Sequence, residues 1–206
     1  MRVQYGPAVM EAKQVAIIVL AAGNARRFGS DKLMADLDGA PLGLRAARNL
    51  AGIDAAAHFA VCQPKAVISS LYAEAGYAVV ENPHAELGLS GSLHLAVAAA
   101  AKTQAQALLI ALADMPFIMA SHIDALIQAC DGEIIASLDG NQSMPPAIFP
   151  RSTWPFLLET KGDAGARQIL VRARSLAAPV GSLRDIDTPD DLAASKCLPL
   201  GIDHDI

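Results

Sequence analysis

The sequence predicts an α/β protein, a doubly wound, mostly parallel sheet with helices on both faces. Three observations carry this expectation. A chain of 206 residues suits one such domain, with room for small insertions at most. Hydrophobic residues make up 53% but aromatics only 4%. The apolar mass is therefore Ala, Leu, Val and Ile, which suits helices laid on a parallel sheet more than a β-sandwich. Finally, apolar runs of strand length alternate with helical patterns along the chain.

The elements follow in order. "VAIIVLAA" (15–22) is an unbroken apolar run and predicts a fully buried strand. "KLMADLDGAPL" places an Asp38-Gly39 turn between two short extended pieces. Pro41 opens a helix to about Leu50. "AHFAVC" (57–62) predicts a strand, Pro64 to Ala75 a helix, and "YAVVE" (77–81) a strand reached through Gly76, a helix stop. Asn82 to Ser92 is a loop, and "SGSLHLAVAAA" begins a helix with a Ser cap. "AQALLIALAD" (105–114) is a second central buried strand, closed by Asp114 and Pro116. Ser121 to Cys130 is a helix with Ser121 as its cap. "EIIASL" (133–138) and "PAIF" (146–149) are strands around the polar turn "DGNQS". Helical segments run from Thr153 to Glu159 and from Ala164 to Arg174. A short "LAAPV" strand then leads to "RDIDTPDDL". The expected organisation is a flexible lead-in over 1–14, one domain over 15–197 and a tail over 198–206.

Several function classes drop out. The net charge of -5 argues against a broad nucleic-acid footprint. No apolar run reaches the ~18 residues of a membrane span, and the first residues carry no long apolar signal-peptide core. Neither a nucleic-acid nor a membrane partner is expected. Cys62, Cys130 and Cys197 are far apart and match no zinc spacing. His58, His84, His94, His122 and His204 match no ligand spacing either, and read as packed or surface residues. A reduced, cytoplasmic protein is the simplest expectation.

In doubly wound sheets, ligands sit beyond the carboxyl ends of the strands. The informative segments are thus Gly23 to Lys32, Asn82 to Ser92, Asp114 to Pro116, and the region of Asp187. The first is "VLAAGNARRFGSDK" (19–32). Gly23 and Gly29 allow close backbone approach, and free amides in such a turn form an anion nest. Arg27 adds a planar fork of donors and Lys32 a compact charge, both suited to phosphate oxygens. A polyphosphate would make these cations cooperate; the plain alternative is a solvated loop. The pattern is neither G-x-x-x-x-G-K-[ST] nor G-x-G-x-x-G.

The carboxylates allow two readings each. Asp114 ends a buried strand and suits a hard dication such as Mg²⁺, which takes one or two carboxylates plus phosphates; Asp-x-Pro is also a common turn cap. Asp185, Asp187, Asp190 and Asp191 crowd one stretch. Thr188-Pro189 with Asp191 reads as a helix start, with a cap, a proline and acidic residues in the first turn. Asp187 precedes that cap and is left for a metal or for positioning. Ser90 and Ser92 can bond a ribose or a base edge, or cap their helix. "KGDAGARQIL" is a helix start, and such a terminus is an anion site.

Together these segments resemble a known family. "LAAGNARRFGSDKL" is similar to the L-A-A-G-x-S-x-R-x-G-x-x-K signature of the molybdenum cofactor cytidylyltransferases and their guanylyltransferase relatives, with Ala25 in place of the usual Ser. The resemblance continues in order through "NPHAELGLSGSL", "ALADMP", "PPAIFPRSTWPFLLETKGDAGARQIL" and "DIDTPDDL". It implies a Rossmann-like, glycosyltransferase-A-like fold and a Mg²⁺-dependent nucleotidyltransferase. A terminal phosphate of a molybdopterin-type acceptor would attack the α-phosphorus of the nucleotide, and pyrophosphate would leave. The resemblance assigns catalysis to Arg27, Lys32 and Asp114, and the metal to Asp114 and, secondarily, Asp187. It assigns nucleotide binding to Leu20, Ala21, Ala22, Gly23, Arg27, Lys32, Pro83, Ser90 and Ser92. Asp163, Gly165 and Arg167 are implied to face the acceptor. Two departures stand out: Gly91 interrupts the usual serine run, and Met144-Pro145 replaces a usual glycine. "LAAG" rather than "LAGG" points to CTP as donor, with GTP or another phosphorylated acceptor as the near alternative. A different class of alternative is a non-catalytic cofactor carrier or chaperone for a molybdoenzyme.

Overall fold

The computed structural model describes residues 9–23, 28 and 31–196, with the backbone alone at 163–167. In chain order its elements begin with β1 (Val15–Ala21), the short strands β2 (Asp36–Leu37) and β3 (Ala40–Pro41), and α1 (Leu42–Ala51). Then come β4 (Ala57–Cys62), α2 (Ile68–Glu74), β5 (Ala78–Glu81), α3 (Leu89–Ala100) and β6 (Ala107–Leu112). The second half has α4 (Ala120–Ala129), β7 (Ile135–Asp139), β8 (Gln142–Pro150), α5 (Trp154–Leu158), α6 (Gly162–Val171), β9 (Arg174–Ala177) and α7 (Pro189–Lys196).

The expected fold class holds. Seven strands form one sheet in the order β5-β4-β1-β6-β8-β7-β9. β1 lies inside it, parallel to β4 and to β6. Among the described strands of this sheet, β8 alone runs against its neighbours. It follows β7 through a tight turn at Gly140, whose φ is 57°, and a connection that short can only join antiparallel strands.

The alternation of a strand explains both layers. Val15, Ile17, Val19 and Ala21 of β1 pack into a core shared with Leu44 and Leu50 of α1, Tyr72 of α2 and Ile123 of α4. Ala16, Ile18 and Leu20 pack the other way, against Leu93 and Val97 of α3, Trp154 of α5 and Leu170 of α6. All seven residues of β1 are buried, which is why the strand reads as a continuous apolar run. Asp38 and Gly39 have φ of 51° and 80°, the two left-handed positions of a hairpin turn between β2 and β3.

The structure corrects three local expectations. The helix expected from Pro64 begins only at Ile68; Lys65 has a φ of 59°, which a helix cannot contain. The expected Ser121 cap is absent. Met119 holds the cap position of α4 with no side-chain cap bond, so Ser121 falls inside the helix. The last sheet strand is shifted to Arg174–Ala177, set by its parallel register on β7.

Two contacts fix the layers. α1 approaches α2 and the 3-10 turn Lys32–Met34 through Gly43. A Cβ there would lie 2.7 Å from Ile68 Cδ1 and 2.9 Å from Leu33 Cβ. The Tyr72 hydroxyl donates to the Gly43 carbonyl at 2.8 Å. On the far half of the sheet, the buried Ser137 hydroxyl donates to the Pro146 carbonyl at 2.6 Å. Its oxygen lies 2.8 Å from His122 Nε2. Since the hydroxyl proton is engaged, His122 must donate through Nε2. Burial holds the His122 pKa below its ordinary value.

Gly43→Ala should lower stability by about 1–3 kcal/mol through overpacking, despite alanine's advantage of ~1 kcal/mol in helix propensity. Urea denaturation reads the sign, and a stabilised variant would show that Leu33 and Ile68 yield freely. For His122, the unfolded chain takes up a proton more readily than the folded one. Its contribution is therefore complete above about pH 6.5 and is lost as pH falls toward the lowered folded value. His122→Gln should flatten the acid side of the melting-temperature profile below about pH 6.5. A profile of unchanged slope would remove His122 from that role.

Candidate functional site

A cleft of about 950 Å³ opens at the carboxyl ends of the central strands. Chain connectivity reverses direction there, between β1 and β6, and this is where doubly wound sheets bind ligands. Its floor is Leu20, Ala21, Ala22 and Gly23, where β1 ends. Lys32, Asp114 and Asp187 all line it.

These three side chains form one ionic group. Lys32 Nζ donates to Asp114 Oδ2 at 2.9 Å and to Asp187 Oδ1 at 3.0 Å. The lysine side chain is only 9% exposed, against 26% and 31% for its partners. Burial by itself would lower the Lys32 pKa, but the charges and hydrogen bonds of Asp114 and Asp187 outweigh it and the pKa is raised. Asp185 is pushed up, first by burial and then by the negative charges of Asp187 and Asp114.

Local structure explains why they meet. Asp114 sits two residues beyond β6, delivered by the buried strand. Lys32 opens a 3-10 turn, Lys32–Met34, whose Leu33 packs with Phe28, Leu37 and Leu42 in a small core under the cleft. Ile186, fully buried in that same core, donates its amide to the Asp114 carbonyl at 2.9 Å. That bond seats Asp187 beside Asp114. The start of α7 then fixes the backbone around it. Asp191 N donates to Thr188 Oγ1 at 3.1 Å, while Thr188 N donates back to Asp191 Oδ2 at 2.8 Å. The Asp187 amide shares that carboxylate at 3.2 Å. The helix start expected at Thr188-Pro189 is thus present and serves as the mount for Asp187. Hydrogen bonds from Thr188 hold the Asp191 pKa low.

The donor set suits a hard dication. Among the described residues the buried Asp114 Oδ1 has no hydrogen-bond partner, a cost that a cation would remove. Among the described residues no group of three or more His, Cys, Asp or Glu is placed to cage a metal. Two carboxylates match a Mg²⁺-type ion that completes its shell with water and phosphate oxygens, not one held by protein alone.

The other end of the cleft is built by the segments after β4 and β5. Gln63 Nε2 donates to the Ala22 carbonyl at 3.1 Å, tying the end of β4 to the floor. The buried Asn82 organises the next loop: its Nδ2 donates to Ser92 Oγ at 3.0 Å and its Oδ1 accepts from His84 N at 3.0 Å. The Ser cap expected for α3 is corrected. Gly88, with φ of 89°, holds the cap position without a side-chain bond, and both serines lie within the first turns of the helix. Ser92 lines the cleft. Ser90 Oγ instead accepts from the Gly162 amide at 3.0 Å, joining α3 to the start of α6. Pro83 is exposed and does not line the cleft.

Arg26, Arg27 and Gly29 lie outside the described residues. Asp163, Gly165 and Arg167 fall in the first half of α6, and their side chains are likewise outside the description. The sequence reading passed over Gln63, Lys65 and Glu86, which line the cleft. The rule that singled out Asp114 would have found Gln63, the residue following β4.

Residues 17–177 match the family model of the MobA-like NTP transferase domain. The purine catabolism protein PucB of Bacillus subtilis (strain 168) is 27% identical over 188 residues, covering 84% of this chain and 92% of its own. A molybdenum cofactor guanylyltransferase of Shewanella sp. (strain ANA-3) is 26% identical over 166 residues, 76% of this chain and 78% of its own. A Mycobacterium tuberculosis H37Rv protein, crystallised in complex with manganese, shares the fold with a TM-score of 0.65 at 22% identity, over 88% of this chain and 97% of its own. No helix of the described residues is long and apolar enough to cross a membrane.

Thr188→Ala should lower stability by about 1 kcal/mol, the usual loss on removing a helix cap. Combined with Asp191→Ala it should lose less than the sum of the two single effects, because the pair shares its bonds. Strict additivity in denaturant titrations would mean that Thr188 and Asp191 do not act as one cap.

Proposed function

The chain belongs to the MobA-like NTP transferase family, and we propose that its cleft transfers a nucleoside monophosphate from CTP to the phosphate of a molybdopterin-type acceptor, releasing pyrophosphate. The family makes it a nucleotidyltransferase. The observation that most supports the reaction is the meeting of Lys32, Asp114 and Asp187 at the β1–β6 edge of a cleft large enough for a nucleotide.

The chemistry needs alignment and charge neutralisation more than proton transfer, because the attacking phosphate is already ionised. Asp114 and Asp187 would hold a dication, Mg²⁺ in this proposal, which when bound would neutralise charge on the triphosphate. Lys32 adds a positive charge from within the cleft wall, where water screens it little. Arg27, from the same β-to-α turn, is proposed to bind the phosphates beside it. Leu20, Ala21, Ala22 and Gly23 would pass their backbone under the nucleotide, with Ser92 and Asn82 shaping the loop opposite. Asp163, Gly165 and Arg167 at the start of α6 are proposed to meet the acceptor.

CTP is proposed as donor because "LAAG" (20–23) resembles the cytidine users. The second reading, GTP, is favoured by the name of the Shewanella relative. A cofactor carrier without turnover, serving a molybdoenzyme or its chaperone, would bind the acceptor but release no pyrophosphate.

Incubation of the purified protein with a divalent metal, molybdopterin and each NTP should release pyrophosphate, fastest with CTP in direct competition. Asp114→Asn should lower the rate on the order of 10²-fold or more, the scale of a lost transition-state charge partner, with the fold intact by circular dichroism. No pyrophosphate from any NTP, beside an active control enzyme, rejects the reaction. Preference for GTP keeps the reaction and replaces the donor.

A further inference from the structure

We propose that Lys32 is a tethered cation occupying the place between Asp114 and Asp187, so that the site admits a divalent metal only together with a polyphosphate. The inference rests on reading this cleft as a metal and polyphosphate site.

Three observations carry it. Lys32 Nζ is within hydrogen-bond reach of both carboxylates at once, at 2.9 and 3.0 Å. It therefore lies between the two groups that would bind the metal. Its side chain is also the most buried of the three, 9% exposed against 26% and 31%. Asp114 keeps a buried oxygen, Oδ1, outside this pairing, with no hydrogen-bond partner among the described residues.

The charges then set the order of events. Two carboxylates with one ammonium carry a net charge of about −1, a weak attraction for a strongly hydrated dication. An arriving metal must also share its carboxylates with a cation already in contact, and two like charges so close repel strongly. A polyphosphate changes this balance. It offers oxygen acceptors to Lys32 and anionic charge to the metal, so each cation has a partner when they move apart. The four-carbon stem of lysine permits that swing without movement of the backbone. In this arrangement Lys32 fulfils two roles: it holds the two carboxylates close together while no ligand is present, and it joins the phosphates when the metal takes its place.

Mn²⁺ is the probe, since free Mn²⁺ gives an electron paramagnetic resonance signal that is lost on binding. The wild-type chain should bind Mn²⁺ weakly alone and at least tenfold more tightly with a non-hydrolysable CTP or GTP analogue. Lys32→Met keeps the length and removes the charge. It should bind Mn²⁺ alone at least tenfold more tightly than wild type, and its gain from nucleotide should shrink. Lys32→Gln should shift in the same direction, and thermal melts with and without Mn²⁺ report whether either variant is folded. Mn²⁺ affinity that is unchanged or weaker in both variants, while the wild type binds metal with nucleotide, overturns the tethered-cation role. So does failure of both variants to fold at any Mn²⁺ concentration, which would make Lys32 a structural staple. If the wild type binds no Mn²⁺ even with nucleotide, the metal-site reading itself fails.

Discussion

A single ammonium group, held between two carboxylates, joins three parts of the chain that are remote in sequence. Lys32 is 82 residues from Asp114 and 155 from Asp187. Taking charges out of water is costly, and a buried pair offsets that cost only when its geometry is good and its remaining bonds are made. The surrounding structure therefore has to place all three within a narrow tolerance. Two rigid supports do so. β1 and β6 are paired residue by residue from Val15 to Leu20, and the Ala113 amide donates to the Leu20 carbonyl, which fixes Asp114 beside the end of β1. The small core of Phe28, Leu37, Leu42 and Ile186 binds the Lys32 turn to the Asp187 segment. Remove either support and the charges remain, but without the geometry that makes burying them tolerable.

Much of this was legible in the sequence, for identifiable reasons. β1 and β6 announce themselves because strands buried on both faces must be apolar throughout, and the residue that ends such a strand at the ligand edge is worth reading. That logic found Asp114. The α7 start was legible because cap, proline and acidic residues are each explained by unsatisfied amides within four residues. The approach of Asp187 to Asp114 had no such local sign. It depends on one long-range amide bond from Ile186, and nothing in "RDIDTPDDL" says which strand it meets. For the serines of "GLSGSL" the sequence leaves a cap and a ligand contact both open, and a capping serine and an interior serine share the same pattern. The left-handed φ of Gly88 decided the matter. The sequence marks Lys32 as a charge suited to phosphate oxygens, and its carboxylate partners are visible only in three dimensions.

The two halves of the sheet are built for different tasks. The half formed by β5, β4, β1 and β6 is all parallel, so its carboxyl ends and their loops gather on one edge and create the cleft. The other half contains β8, which runs against β6 and β7 and so interrupts that row of loop-bearing ends. A register shift between Ala136 and Ser137 turns Ser137 toward Pro146 and His122. That buried network satisfies the polar groups which the irregularity would otherwise strand. The Ser90 bond to Gly162 links the halves in addition to the pairing of β6 with β8. It ties the helix beginning at the cleft to the start of α6, which carries the residues proposed for the acceptor.

The identity of the cation at position 32 follows from the same geometry. Two carboxylates at 2.9 and 3.0 Å from one nitrogen require a compact charge with donors pointing in different directions, which an ammonium supplies. A guanidinium presents a planar fork suited to one carboxylate taken side-on, and would hold Asp114 or Asp187 but not lie between them. Arginine also keeps its grip once the fork is matched, whereas a lysine on a flexible stem can change partners. A site that only needed permanent neutralisation would be served by either residue. One that must give up its carboxylates to a metal and then meet phosphate oxygens is served by lysine alone, and with 9% of that side chain exposed the proposed exchange would take place inside the protein wall, where each unit of charge counts most.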